Sequence, residues 1–156
     1  MIVLSRIDDR LIHGQVMTSW LNVTGANKIV IVDNATAKDT FMKSILSSVV
    51  PANIKIDILT IDESIPVLKN YGDSKDKVIL LVKEPNAILE LVENGIPLKN
   101  VNIGGMGVKP GRNKLYKNIY ASKEERETLK KLIQREINVQ IRIIAEDNAV
   151  DIEKYL

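Results

Sequence analysis

The chemistry in this sequence concentrates in one run, Arg6-Ile7-Asp8-Asp9-Arg10-Leu11-Ile12-His13-Gly14-Gln15-Val16, which holds the only histidine of the chain. Arg6 and Arg10 both lie within seven residues of that imidazole. A helical pattern opens at Gly14, with Val16, Trp20 and Leu21 at helical spacing. First-turn N–H groups of a helix have no intrahelical acceptor. The amides of Gly14, Gln15 and Val16 would therefore face back toward His13. Helix amides together with arginine suit an anion such as phosphate. Gly14, lacking a Cβ, lets the backbone come close to a bulky group on the imidazole. A histidine so placed can act as an acid or base, as a ligand, or as a nucleophile that becomes phosphorylated. The residues alone leave these open, beside the plainer reading of an ordinary surface or core histidine.

Several other chemistries are disfavoured. A zinc site needs more than one histidine, or cysteines or paired carboxylates, and the chain has one histidine and no cysteine. The lack of cysteine also excludes disulfides and thiol catalysis. No Gly-x-Ser-x-Gly elbow supports a serine hydrolase, and no Gly-x-x-x-x-Gly-Lys-Ser/Thr supports a P-loop. Gly104-Gly105-Met106-Gly107 lacks the dinucleotide-binding spacing. It reads either as a tight turn or as a backbone wall that a neighbouring group can approach closely. We expect no metal and no cofactor. With 22 basic and 20 acidic residues the net charge is +2, too even for nucleic-acid binding by field alone. Aromatic residues make up 4%, which leaves little for base stacking.

These residues need a scaffold to position them. The 156 residues, 45% hydrophobic and 27% charged, have the balance of a single globular domain over 1–156. No run reaches the ~20 apolar residues of a membrane span. The N-terminus lacks the basic and apolar stretches of a secretory signal, so a cytoplasmic location is expected. Short β-branched runs alternate with helical patterns. Strands are read at 2–4, 28–33, 54–59, 77–83, 100–103, 117–121 and 139–144. A helix is read over Thr36–Val50, with Phe41, Ile45 and Val49 repeating every fourth residue. The next carries Ile65 and Leu68, with Pro66 in its first turn and a start at Asp62 or Ser64. Pro85 opens another, and Ser122-Lys123-Glu124-Glu125 has capping-box spacing. Residues 147–156 read as a short terminal helix. This order predicts an α/β domain, a three-layer open twisted sheet, predominantly parallel, with helices on both faces. Sites in such sheets form outside the carboxyl ends of the strands, here the segments 5–14, 33–36, 60–63, 83–86 and 104–112.

The run from Arg6 to Val16 resembles the N-terminal active-site signature of the EIIB component of the phosphoenolpyruvate-dependent sugar phosphotransferase system, mannose/fructose/sorbose family. The likeness extends along nearly the whole chain, through Ile29-Val30-Ile31-Val32-Asp33-Asn34 and Asn102-Ile103-Gly104-Gly105-Met106. The resemblance implies a cytoplasmic phosphotransferase that associates peripherally with a membrane permease. It would accept a phosphoryl group from the phosphohistidine of EIIA and pass it to a sugar bound by EIIC/EIID, of the mannose, fructose, sorbose or amino-sugar class. Carried over residue by residue, His13 is the nucleophile, through Nδ1, and Arg10 stabilises the phosphoryl group. Arg6, Asp8, Gly14, Gln15, Asp33 and Asn34 carry over as phosphoryl- or partner-binding positions. Where many relatives have Gly-Gly-Met-His, this chain has Gly107, which leaves no second histidine for the site.

A histidine that exchanges a phosphoryl group with other proteins must be reachable by them. The expected site is therefore flat or convex, ringed by apolar residues such as Leu11 and Ile12, with no large sugar cavity. Simple loop packing is the plainer role for that pair. Lys109, Arg112 and Lys114 could meet an acidic partner surface or form a solvated loop. Two other classes compete: a regulatory domain that senses a partner's phosphorylation state, and a metabolite-binding enzyme with a deep pocket. Assembly of identical copies is also open.

Overall fold

The computed structural model describes residues 1–156, apart from the side chains at positions 72 and 73. Its elements in chain order begin with β1 (Ile2–Asp8), α1 (Gly14–Thr24), β2 (Lys28–Val32), α2 (Asn34–Ala37), α3 (Thr40–Ser48), β3 (Lys55–Leu59) and α4 (Ile61–Lys69). They continue with β4 (Val78–Val82), α5 (Pro85–Glu93), β5 (Asn100–Gly105), β6 (Arg112–Tyr116), β7 (Ile119–Ser122), α6 (Lys123–Gln134), β8 (Asn138–Ile141) and β9 (Val150–Asp151). Seven strands form one sheet in the order β3-β2-β4-β1-β5-β8-β9. All pair in parallel except β9, which is antiparallel to β8. β6 and β7 make a separate antiparallel hairpin.

Strand composition explains strand position. Val78-Ile79-Leu80-Leu81-Val82 is buried at every residue, as a strand covered on both faces must be. Ile29 to Val32 lies beside it and is equally buried. Their side chains divide between two cores. Val30, Val32, Val78 and Leu80 pack with Leu68 of α4, Ile88 of α5, and Leu129 and Leu132 of α6. Ile29, Ile31, Ile79 and Leu81 pack on the other face with Met17, Trp20 and Leu21 of α1 and Leu46 of α3. The sheet thus carries helices on both faces, as the alternation of patterns predicts. β5 and β8 differ. In Asn100-Val101-Asn102-Ile103 and Asn138-Val139-Gln140-Ile141 the apolar residues enter the α4–α6 core, while the amides line a groove of about 400 Å³ beside Trp20 and Arg142.

This topology prepares one point on the carboxyl edge. The chain after β1 turns to α1 on one face, whereas the chains after β4 and β5, its two sheet neighbours, lead to α5 and α6 on the other. Connections that diverge to opposite faces open a crevice at the strand ends. The end of β1, followed by the His13 loop, lies at that crevice.

The structure departs from the sequence reading in several elements. The helix over Thr36–Val50 is two helices, because Asp33 caps α2 through Thr36 and Asp39 caps α3 through Met42. The helix with Pro66 starts at Ile61, fixed by a Thr60–Glu63 capping box, so Pro66 is its sixth residue and not in its first turn. The strand at 139–144 ends at Ile141, and residues 147–156 form β9 and a short 3₁₀ turn rather than an α-helix. The weak strand near 117–121 is the second arm of a hairpin whose turn includes Lys117 at φ 47°. The repeat Phe41, Ile45, Val49 ordinarily marks a core face, yet all three are exposed and Leu46 is the buried residue of α3. Phe41 is 73% exposed and Leu46 5%. Phe41→Ser is therefore expected to change stability by less than ~0.5 kcal/mol. Leu46→Ala should cost about 2–5 kcal/mol. Urea denaturation of the two variants checks the assignment.

Candidate active site

The site is built outward from a buried carboxylate. Asp8, the last residue of β1, is fully buried. Its Oδ1 accepts hydrogen bonds from the Arg10 backbone N–H at 3.0 Å and from Arg10 Nε at 2.9 Å. Its Oδ2 accepts from an Arg10 terminal nitrogen at 3.0 Å and from Arg6 at 3.2 Å. Burial alone would push the Asp8 carboxyl up, but the hydrogen bonds from Arg10 and the charges of Arg6 and Arg10 outweigh it and hold it below the usual range. Asp8 is thus ionised at neutral pH. His13 stands over this carboxylate, with Nε2 3.6 Å from Asp8 Oδ2. Nε2 is buried, while the side chain as a whole is 29% exposed. Burial lowers the His13 pKa below its ordinary value, the positive charge of Arg10 lowers it further, and Asp8 opposes both. The imidazole is therefore predominantly neutral at pH 7.

Arg6 and Arg10 have different surroundings. Arg6 is buried and donates to Asn102 Oδ1, to Asp8, and to the carbonyls of Arg142 and Ile143. Its guanidinium lies 5.4 Å from the Trp20 ring centroid. Every donor direction it has toward the site is spent on Asp8. Arg10 is 49% exposed, and one terminal nitrogen makes no hydrogen bond among the described residues. Arg10 can therefore reach an anion at the surface, whereas Arg6 supports Asp8 from below.

Two glycines of β5 form the floor. A Cβ at Gly104 would overlap the Arg6 guanidinium, and one at Gly105 would lie 2.7 Å from Asp8 Oδ1. Of the two readings of this segment, the backbone wall is the one observed; Gly104 and Gly105 are strand residues. The loop above them is strained. Leu11 adopts φ 58°, a left-handed conformation that costs a non-glycine residue about 1–2 kcal/mol. Leu11 and Ile12 are buried in the α1–α3 core, which holds that conformation in place. They therefore do not ring the site, and loop packing is their role. Gly14 at φ 42° turns the chain into α1. His13 is the N-cap of α1 and makes no side-chain capping hydrogen bond, and the first turn has no acidic residue. Gly14 and Gln15, the first residues of α1 after His13, are exposed.

Other predicted positions lie apart from this group. Asp33 caps α2, and Asn34 Oδ1 accepts from the Ile61 backbone N–H, tying α2 to α4. Both lie at the carboxyl edge after β2, two strands from β1, and no hydrogen bond joins them to His13 or Arg10 among the described residues. Arg112 is not an exposed cation for a partner; its side chain is 3% exposed and paired with Asp9 and Glu125. Lys109 and Lys114 are exposed. Asn102 was missed by sequence reasoning, although its polar place in an alternating strand marks it as facing away from the apolar core. None of the molecule's principal grooves is lined by His13. Among the described residues no three His, Cys, Asp or Glu side chains converge as a metal site.

Fold and site together define an open, mostly parallel α/β domain that presents an Asp-backed, part-exposed imidazole at a helix start. The chain matches over residues 2–156 the family described as PTS system sorbose subfamily IIB component. It is 34% identical over 151 residues to the sorbose-specific EIIB component of Lacticaseibacillus casei, covering 97% of this chain and 92% of that one. It is 30% identical over 155 residues to the fructose-specific EIIB component of Bacillus subtilis, covering 99% and 95%. The crystal structure of the IIBSor domain of the sorbose permease from Klebsiella pneumoniae superposes with a TM-score of 0.94 at 30% identity, covering 99% of this chain and 95% of that one. The chain belongs to the sorbose subfamily of EIIB components of the sugar phosphotransferase system. It is a phosphotransferase component of the class that serves sorbose, mannose, fructose and N-acetylgalactosamine systems, a family that works with EIIA and a membrane permease.

The floor yields its own test. Gly104→Ala must displace the buried Arg6 guanidinium from Asn102 and Asp8, a strain of about 1–3 kcal/mol from overpacking before any loss of ion pairing. Thermal denaturation should show a clear drop in Tm for Gly104→Ala, and no comparable drop for Gly107→Ala, whose nearest foreign contact would be 3.5 Å away.

Proposed function

We propose that His13 accepts a phosphoryl group from phosphorylated EIIA and hands it to a sugar held by the EIIC/EIID permease. Residues 1–156 act as one carrier domain, working in the cytoplasm and docked peripherally on that permease. The observation that carries this reading is the geometry of His13, part-exposed at an uncapped helix start, with Nε2 turned toward the ionised Asp8. A proton on Nε2 faces the carboxylate, which leaves Nδ1 as the nucleophile. In the transfer, the Nδ1 lone pair forms a new P–N bond while the P–N bond of the donor phosphohistidine breaks. The electron pair of that bond returns to the donor imidazole. Such a transfer needs in-line placement and stabilisation of the equatorial oxygens, with little covalent help. The free nitrogen of Arg10 and the first-turn amides at Gly14 and Gln15 supply that stabilisation. Arg6 acts through Asp8 and does not touch the phosphoryl group. Asp33 and Asn34 order the neighbouring edge against which a partner settles. Selectivity for one sugar resides in the membrane components, since no groove beside His13 encloses one.

The test is phosphorylation with phosphoenolpyruvate, enzyme I, HPr and a cognate EIIA. One acid-labile phosphate should appear by mass spectrometry, and none on His13→Gln; uptake of that phosphate by the variant would refute the assignment. Membranes containing EIIC/EIID should then convert it to sugar phosphate. Failure at this last step alone would favour a regulatory domain.

The pH dependence follows from the lowered pKa. The nucleophile is the neutral ring, so the rate falls as pH drops through the His13 pKa. That acid limb is expected below 6.5, the ordinary value for histidine. Asp8→Asn removes the one charge that raises the pKa and leaves Arg6 and Arg10 unopposed. The acid limb should move to still lower pH, while the maximal rate falls roughly 10-fold or more because the ring loses its orienting partner. A limb that moved upward would contradict the arrangement.

A further inference from the structure

Asp9 follows the buried Asp8 but turns to a different set of partners. Its Oδ2 accepts from the Gly107 backbone N–H at 2.6 Å and from Arg112 at 2.9 Å. The same Arg112 nitrogen donates to the Gly107 carbonyl at 2.9 Å. The other two nitrogens of the guanidinium fork onto Glu125, each at 2.8 Å. Glu125 Oε1 also accepts from the Ser122 backbone N–H at 2.9 Å, closing the capping box of α6. One buried arginine therefore fastens three segments: the turn after β1, the loop after β5, and the start of α6. The hydrogen bonds that Arg112 donates to Glu125 and Asp9 raise its pKa, so the clamp keeps its charge.

The clamp matters because of what it holds. The turn from Asp9 to Gly14 contains two left-handed residues, Leu11 and Gly14. Such a turn persists only where its surroundings over-determine it. Burial of Leu11 and Ile12 fixes its inner side, and Asp8 fixes Arg10. Asp9 ties the turn to the body of the domain twice, through its backbone N–H to the Gly105 carbonyl at 2.9 Å and through its carboxylate to Gly107 and Arg112. Without Arg112, the Asp9 carboxylate would lose its buried counter-charge. The other cation on it among the described residues is Lys109, part-exposed with Nζ 3.9 Å from Asp9 Oδ1, which does not also join Glu125, so the carboxylate and the turn that carries it would be free to shift. His13 and its surface neighbours would remain exposed to a docking protein, but the imidazole and Arg10 would lose their mutual aim.

We propose that Arg112 is a positioning residue for phosphoryl transfer, acting through Asp9 to hold Arg10 and His13 in register. This inference rests on the reading of His13 given above. Its consequence is a defect in rate and not in partner affinity.

The experiment measures the initial rate of phosphate uptake by the full chain from phosphorylated EIIA, with donor concentration varied. Arg112→Met is expected to lower kcat 10-fold or more while KM for the donor stays within about twofold and the final extent stays at one phosphate. Arg112→Lys, which keeps the charge but not the fork, should recover part of the rate. Asp9→Ala leaves the Arg112–Glu125 fork intact and should reproduce the defect. The double variant should be no slower than the slower single, because both act through one contact. Should Arg112→Met fail to fold by circular dichroism, the Asp9→Ala rate decides alone. A wild-type rate in Asp9→Ala, multiplicative defects in the double variant, or a defect carried by KM would overturn the proposal. Wild-type chain that takes up no phosphate would overturn the reading of His13 itself, and is told apart by occurring before any variant is made.

Discussion

An ionised carboxylate with no exposure to water is unstable unless it is surrounded by donors, and Asp8 is surrounded by arginine. Arg6 meets it from beneath, Arg10 wraps it from the side, and His13 closes the top. Breaking such a pair from one side leaves an uncompensated buried charge, which costs far more than the intact pair contributes. Much else in the domain answers to this cluster. Asn102 and two backbone carbonyls complete the donors of Arg6. Trp20 covers its face. Gly104 and Gly105 remain without side chains because the guanidinium and carboxylate occupy that space.

The cluster sets the state of the histidine. Two guanidinium groups and partial burial disfavour the imidazolium, while Asp8 orients the ring and moderates the shift. The neutral ring is the state that the proposed attack on a phosphoryl group requires. The uncapped start of α1 fits the same need, since most helices of the chain satisfy their first turn with a side chain of their own. Amides left without such a cap beside His13 are free to meet the oxygen atoms of an anion.

The shape of the site follows from sheet topology. β1 lies between two strands whose connections lead to helices on the opposite face, so the loop after it lies at the crevice between them. A metabolite enzyme would use the same crevice for a closed pocket. Here the loop packs inward through Leu11 and Ile12 and leaves Arg10 and part of His13 exposed.

The alternation of strands and helices, the Ser122–Glu125 capping box and the His13 loop were all legible in the order of the residues, because each depends on neighbours within a turn or two. The two arginines, Asp8 and the histidine all fall between Arg6 and Gln15, so the run could be read as a unit. The roles of the arginines could not. Arg6 is buried because Asn102 and Arg142, 96 and 136 residues away, come to lie beside it. Arg112 is a clamp and not a surface cation because Asp9, 103 residues away, meets it across the sheet edge. The apolar repeat of α3 was visible, but not that it points outward. Sequence periodicity reports how a segment would bury itself if it had a neighbour. Which neighbour it has is decided only when the strands take their places in the sheet. Local order therefore specified the elements and the histidine loop, and the packing of distant strands decided the charge, depth and aim of the site, because those arise from groups that the chain brings together only on folding.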